Sequence, residues 1–154
     1  MYEEKINAYF DAPERRAELV EAISRLVRIR SVREEPLPGM PFGPGPAAAL
    51  AEGLKLAEEL GFATRNYDNY VGTADLNDKE TALHILCHLD VVGEGTGWTV
   101  TEPYAPKEVD GMLYGRGTDD DKGPVAAVLL AMKAVRDLGL PLSANVRCIL
   151  GTDE

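Results

Sequence analysis

The residues best equipped for chemistry stand at three places along the chain: His88-Leu89-Asp90, the acidic run Asp119-Asp120-Asp121, and Asp153-Glu154. An imidazole and several carboxylates are the ligand types of a hydrolytic metal centre, where a cation polarises a carbonyl and activates water. His88 and Asp90 alternate with Leu89 beyond the strand-like run Leu83-His84-Ile85-Leu86-Cys87, so both side chains point to one side of the chain. That spacing lets the histidine bind a metal through one ring nitrogen while a carboxylate holds the other, which fixes the tautomer and raises ligand basicity. Alone, the pattern is weak and is matched by any loop histidine beside an unrelated aspartate. His84 reads as a packed core or edge residue rather than a ligand.

The second station lies within Gly115-Arg116-Gly117-Thr118-Asp119-Asp120-Asp121-Lys122-Gly123-Pro124. Its acidic run meets the start of a helix, whose terminus favours negative charge and offsets the crowding of three carboxylates. One of them could bridge two cations, or the whole run could be a solvated helix cap. A calcium loop fits worse, because the glycine and the later glutamate miss the required offsets. Neither this segment nor Gly93-Glu94-Gly95-Thr96-Gly97 matches a dinucleotide fingerprint. The third station, Gly151-Thr152-Asp153-Glu154, follows an apolar strand and places a glutamate where a general base would act on water. As the natural end of a complete domain it would read as a frayed acidic tail.

The elements that must carry these stations follow from periodicity. Helices are expected at Tyr2–Phe10 and Ala12–Arg28, the second started by Pro13 and striped by Leu19, Ile23, Leu26 and Val27. Pro36 to Pro46, rich in Pro and Gly, reads as a long ordered loop that buries its apolar residues. A helix over Ala47–Leu60 stops at Gly61. Phe62–Tyr67 and Tyr70–Leu76 flank Asp68-Asn69 as a hairpin. Ala82–Cys87 and Ala144–Leu150 read as buried central strands, and Val109–Tyr114 as a further strand entered through Asp110-Gly111. A helix from Pro124 to Leu138 turns Val125, Val128, Leu129, Met132 and Val135 to the sheet. This alternation argues for a layered α/β domain.

A chain of 154 residues with 45% hydrophobic residues can bury a real core. Its net charge of −10 repels phosphates and anionic lipid, so neither nucleic acid nor membrane is an expected partner. The start lacks a signal-peptide pattern, and Cys87 and Cys148 sit in apolar runs as buried thiols. Cytoplasmic localisation is the expectation.

In this order, each at a strand exit, the three stations resemble the di-zinc exopeptidases related to aminoacylases and carboxypeptidase G, and most closely the PepV-like dipeptidases. Further likenesses are Pro41-Phe42-Gly43-Pro44-Gly45-Pro46 before a helix, Asp68-Asn69-Tyr70 after a strand, and Gly97-Trp98 between the first two stations. The resemblance implies an α/β/α zinc-exopeptidase catalytic domain that is incomplete at its carboxyl end. Residues 1–154 would form its amino-terminal portion, with the rest of that domain and a lid domain lying beyond. It implies two zinc ions, with His88 a ligand of one, Asp90 clamping the imidazole, Asp120 bridging both, and Asp119 and Asp121 outside the ligand set. Glu154 would be the general base in hydrolysing a dipeptide or short peptide by a zinc-bound hydroxide. The family's second glutamate and its downstream carboxylate and histidine ligands would also lie beyond residue 154. The chain alone is therefore expected to bind zinc weakly and to leave peptides uncleaved, with the missing carboxyl-terminal portion as a partner. Alternative expectations are a non-catalytic binding or regulatory remnant of the fold and an aminoacylase-like amidohydrolase. Trp98 is expected to anchor a loop rather than line the cleft.

Overall fold

The computed structural model describes residues 2–154. Helices α1 (Tyr2–Phe10), α2 (Pro13–Val27) and α3 (Pro44–Glu59) precede strands β1 (Ala63–Tyr67), β2 (Val71–Asp75) and β3 (Thr81–His88). A small hairpin of β4 (Lys107–Val109) and β5 (Met112–Tyr114) follows, then helix α4 (Lys122–Asp137) and strand β6 (Asn145–Gly151). Helix α3 starts earlier than its periodicity suggests, because Pro44 and Pro46 both fall in its first turn, where the missing N–H groups have no intrahelical partner to lose. The stretch Val109–Tyr114 is not one strand. Asp110 and Gly111 both adopt positive φ and turn the chain back between β4 and β5.

The main sheet runs β1-β2-β6-β3. Strands β1, β2 and β6 are antiparallel neighbours, whereas β3 runs parallel to β6, joined by the crossover through α4. Asp68 and Asn69, both at positive φ, make the tight β1–β2 turn that the sequence suggests. Among the described residues the strand expected at Ala144–Leu150 has neighbours on both sides, whereas the one expected at Ala82–Cys87, β3, pairs with β6 alone and leaves Leu83 51% and Leu86 75% exposed.

Alternation along the strands sorts the two faces. Gly72, Ala74, Cys148, Leu150 and Cys87 face the helices, and a Cβ on Gly72 would collide with Leu50 and Leu54 of α3. There they join Leu26 of α2 and Val125 and Leu129 of α4 in one core. Helix α2 bridges the backs of α3 and α4. Thr73, Arg147, Ile149, His84 and Leu86 point to the other face, where Arg147 bonds both Asp75 oxygens. The mixed α/β architecture is as expected, with one of the two helical layers of an α/β/α sandwich formed by the described residues. His84 stands exposed on β3.

The Pro/Gly segment is ordered by a bridge between Leu37 and Met40 and by Glu34 N–H donating to Phe42 O. It does not bury all its apolar residues, since Leu37 is 52% and Met40 37% exposed. No helix of the described residues is long and apolar enough to cross a membrane.

A candidate metal centre at the strand ends

β3 and β6 run parallel, so both deliver their carboxyl ends to the same edge of the sheet. His88 closes β3 opposite Gly151 of β6, and Leu89 N–H donates to Gly151 O at 2.9 Å, which ties the first station to the third. Thr152 is buried and its Oγ1 donates towards the carbonyls of Asn69 and Tyr70, so the residues before Glu154 are held by the β1–β2 turn. The second station reaches the same place from the other side. Asp121 Oδ2 accepts the His88 backbone N–H at 2.9 Å, locking the start of α4 to the end of β3.

These contacts gather His88, Asp90, Asp119, Asp120 and Glu154 around one cleft of about 220 Å³, together with Arg116. His88 Nε2 lies 3.0 Å from Asp120 Oδ1 and 3.8 Å from Glu154 Oε2. Its Nδ1 lies 3.2 Å from the Asp90 carbonyl and 3.3 Å from Asp90 Oδ1. Both ring nitrogens thus face acceptor oxygens, an arrangement suited to the doubly protonated ring when no cation is present. Burial opposes that charge, but the fields of Asp90 and Asp121 and the contact with Asp120 outweigh it and hold the His88 pKa above the ordinary imidazole value. All four residues singled out from the sequence therefore converge. Asp119 lines the cleft, whereas Asp121 points away from it to the backbone and Asp153 pairs with Arg33.

The donor types suit zinc, which takes imidazole nitrogen and carboxylate oxygen. Asp90 Oδ1 is buried without an aligned hydrogen-bond donor, as fits a carboxylate placed to orient an imidazole by charge. In number the donors fall short. Among the described residues no group of three or more His, Cys, Asp or Glu side chains is arranged to hold an ion. The residues thus fit part of a zinc site, His88 and Asp120 being two ligand-type side chains where three are usual.

Three supporting residues escape a reading of motifs. Ser31 is fully buried, donates to Leu89 O at 2.6 Å and accepts the Val91 N–H through its own carbonyl, so it pins the His-Leu-Asp segment from both sides. Nothing local in the sequence marks it. Lys122 is also fully buried, with Nζ donating to Ile29 O at 2.7 Å. Burial pushes its pKa down to about 8, against the pull of Asp90. A lysine heading an otherwise apolar helix face was its one visible sign. Arg116 is framed by glycines that close packing demands: a Cβ on Gly115 would meet Val27, and Gly117, at φ +90°, has Val91 and Lys122 against it. A charged residue caught between two such glycines is a signal that the sequence did carry. Trp98 anchors its loop by donating Nε1–H to Glu94 O, and it lies outside this cleft.

Comparison with known proteins agrees with this geometry. Residues 84–154, which contain all three stations, match the model of peptidase family M20/M25/M40. "Putative dipeptidase YtjP" of Bacillus subtilis is 42% identical over 142 residues, covering 91% of this chain and 30% of that protein. A relative from Staphylococcus saprophyticus, also named a putative dipeptidase, is 35% identical over all of this chain and 32% of its own length. The crystal structure of human carnosine dipeptidase 1 superposes with a TM-score of 0.79 at 32% identity, over 97% of this chain and 34% of that one. An M20 family metallo-carboxypeptidase from Sulfolobus solfataricus, at 23% identity and a TM-score of 0.71, shares the fold. The chain spans about a third of the length of the relatives it matches. The strand-end cluster and these likenesses point the same way: residues 84–154 match peptidase family M20/M25/M40, and the chain as a whole is similar to about a third of the length of relatives named putative dipeptidases.

Proposed function

We propose that this chain is the amino-terminal part of the catalytic domain of a cytoplasmic zinc-dependent dipeptidase, with the remaining ligands and a lid domain supplied by further sequence. One observation carries the reading: a histidine braced by Asp90 shares a cleft with Asp120 and Glu154, each reaching it from a different strand end or helix start. The dipeptidase names of the relatives support the substrate class.

In this reading His88, through Nε2, and Asp120 would hold zinc. Zinc, when bound, supplies Lewis acidity that polarises the scissile carbonyl and lowers the pKa of water. Asp90 retains the proton on Nδ1, which leaves the Nε2 lone pair free and the ring fixed in direction. Asp121 holds the His88 backbone, so the imidazole is aimed by main chain as well as side chain. Glu154 Oε2 takes the proton of the attacking water and returns it to the departing amine. Lys122, buried beneath Asp90, holds the loop before the site through Ile29.

The test is hydrolysis of a dipeptide panel by the zinc-loaded protein expressed through its whole reading frame. Cleavage is expected, with Glu154→Gln lowering kcat by at least about a hundredfold, as for loss of a general base. The 154-residue chain alone is expected to bind zinc weakly and to leave the panel intact. A full-length protein that holds zinc yet cleaves no dipeptide would refute the assignment and favour a non-catalytic binding role. Preferential cleavage of N-acylated amino acids would instead place it with the aminoacylases.

A further inference from the structure

Glu154 is the least supported of the side chains gathered at the strand ends. It is 76% exposed, and the one partner its carboxylate meets among the described residues is His88 Nε2, at 3.8 Å. The direction in which it reaches the cleft is therefore set by the backbone at Thr152 and Asp153.

A closed ring of contacts grips that backbone. The buried Thr152 donates its N–H to Tyr70 O at 3.3 Å and its Oγ1 hydrogen towards the same carbonyl at 2.7 Å. The Tyr70 ring meets Phe42 edge-on, with centroids 5.6 Å apart. The Arg33 guanidinium lies 5.4 Å from the centre of the Phe42 ring, and its Nη1 donates to Asp153 Oδ2 at 2.9 Å, which closes the ring. Its members come from the segment after α2, the Pro/Gly loop, the β1–β2 turn and the end of β6. Glu34 N–H donating to Phe42 O at 3.0 Å and Asn69 Nδ2 donating to Gly39 O at 2.8 Å join the first three of these to one another. Among the described residues Arg33 is the only cation within ion-pair distance of Asp153. Without it the half-buried Asp153 carboxylate would stand unpaired beside a cleft already lined by Asp90, Asp119, Asp120 and Glu154, and repulsion would drive it away.

We propose that Arg33 is a positioning residue for Glu154: by holding the Asp153 carboxylate beside the Phe42 ring, it fixes the backbone from which Glu154 reaches the His88–Asp120 pair. The proposal rests on the dipeptidase reading, in which Glu154 takes the proton of the attacking water. An exposed ion pair adds little to the stability of a fold, whereas a base displaced by about 1 Å can lose up to about a hundredfold in rate. Removal of Arg33 should therefore be felt in turnover and hardly at all in folding.

Two measurements on the intact protein test this. In the zinc-loaded protein, Arg33→Gln should lower kcat for dipeptides by about 5- to 50-fold, with KM, zinc affinity and the urea midpoint unchanged. Arg33→Lys should keep part of the rate, because the charge remains and the planar stack on Phe42 is lost. Asp153→Ala should lose as much as Arg33→Gln, and the double variant no more than either, since both remove the same contact. Full kcat in Arg33→Gln, multiplied losses in the double variant, or a loss matched by weaker zinc binding or a lower midpoint would each overturn the proposal. In crystals of the metal-free protein, Arg33→Gln should move the Glu154 carboxylate by about 1 Å or more while His88 and Asp120 stay in place. A Glu154 that keeps its wild-type position would overturn it as well. If the wild type cleaves no dipeptide, the dipeptidase reading fails by itself, and the crystal comparison still decides whether Arg33 aims Glu154.

Discussion

Lys122 offers the sharpest test of the physical account, because its side chain is fully buried and its ammonium meets a single carbonyl, that of Ile29. Burial lowers its pKa from 10.5 to about 8, Asp90 pulling in the opposite direction. That gap amounts to about 3 kcal/mol of folding free energy opposing the charged form. The unfolded chain keeps its proton up to a higher pH than the folded one. Between about pH 8 and 10.5 it therefore binds more protons, and stability should rise with pH across that window. Integrated from about pH 7 to about pH 10, the contribution is about 2.5 kcal/mol. Lys122→Met keeps the length of the side chain and removes the charge. At neutral pH its effects oppose each other. Relief of the buried charge is offset by an orphaned Ile29 carbonyl, worth about 1–3 kcal/mol, so the net change there decides little. The pH slope is what discriminates. Urea unfolding of both proteins at the two pH values, with the wild-type difference set against that of the variant, cancels the titration of tyrosines, cysteines and exposed lysines. The excess rise in the wild type should be about 2–3 kcal/mol. Parallel pH profiles for the two proteins would show that the ammonium is solvated or paired, and the reasoning would be wrong.

Three further outcomes are expected. Gly123→Ala would set a Cβ 2.1 Å from the Thr118 carbonyl oxygen, so the turn carrying Asp119 to Asp121 must move. A loss of about 1–3 kcal/mol in denaturant unfolding should result, with weaker zinc binding, and an unchanged midpoint would refute the close packing. Leu129→Ala, in the fully buried seam between α4 and the sheet, should cost about 2–5 kcal/mol by the same assay. Asp90→Asn should lower the His88 pKa in an NMR titration of the metal-free chain. Because the folded value is raised, the protonated ring stabilises the fold below its unfolded value, and that stabilisation disappears as pH rises through the folded one. A His88 titration unmoved by the substitution would assign the shift to the other carboxylates.

The sequence by itself determined the local units and the placing of its chemistry. Helical stripes in α2 and α4, the Asp68-Asn69 turn and the apolar runs of β3 and β6 are short-range patterns, set by neighbours a few residues apart. The three stations could be placed at strand exits and helix starts because strand ends are local events. Val109–Tyr114 shows the limit even there. Its turn at Asp110-Gly111 splits strands of three residues each, too short for alternation to show.

Only the tertiary structure decided how the strands pair and which side chains went under the site. An apolar run such as Leu83–Cys87 is compatible with a centre or an edge, and the choice depends on pairing with β6, about 60 residues away. Lys122 and Ser31 become parts of the site through contacts with Ile29 and Leu89, neither of them near in sequence to its partner. Charge and polarity ordinarily place such residues in water. They can be buried here because the fold brings backbone carbonyls to them, and those carbonyls take position only once the sheet and helices have packed.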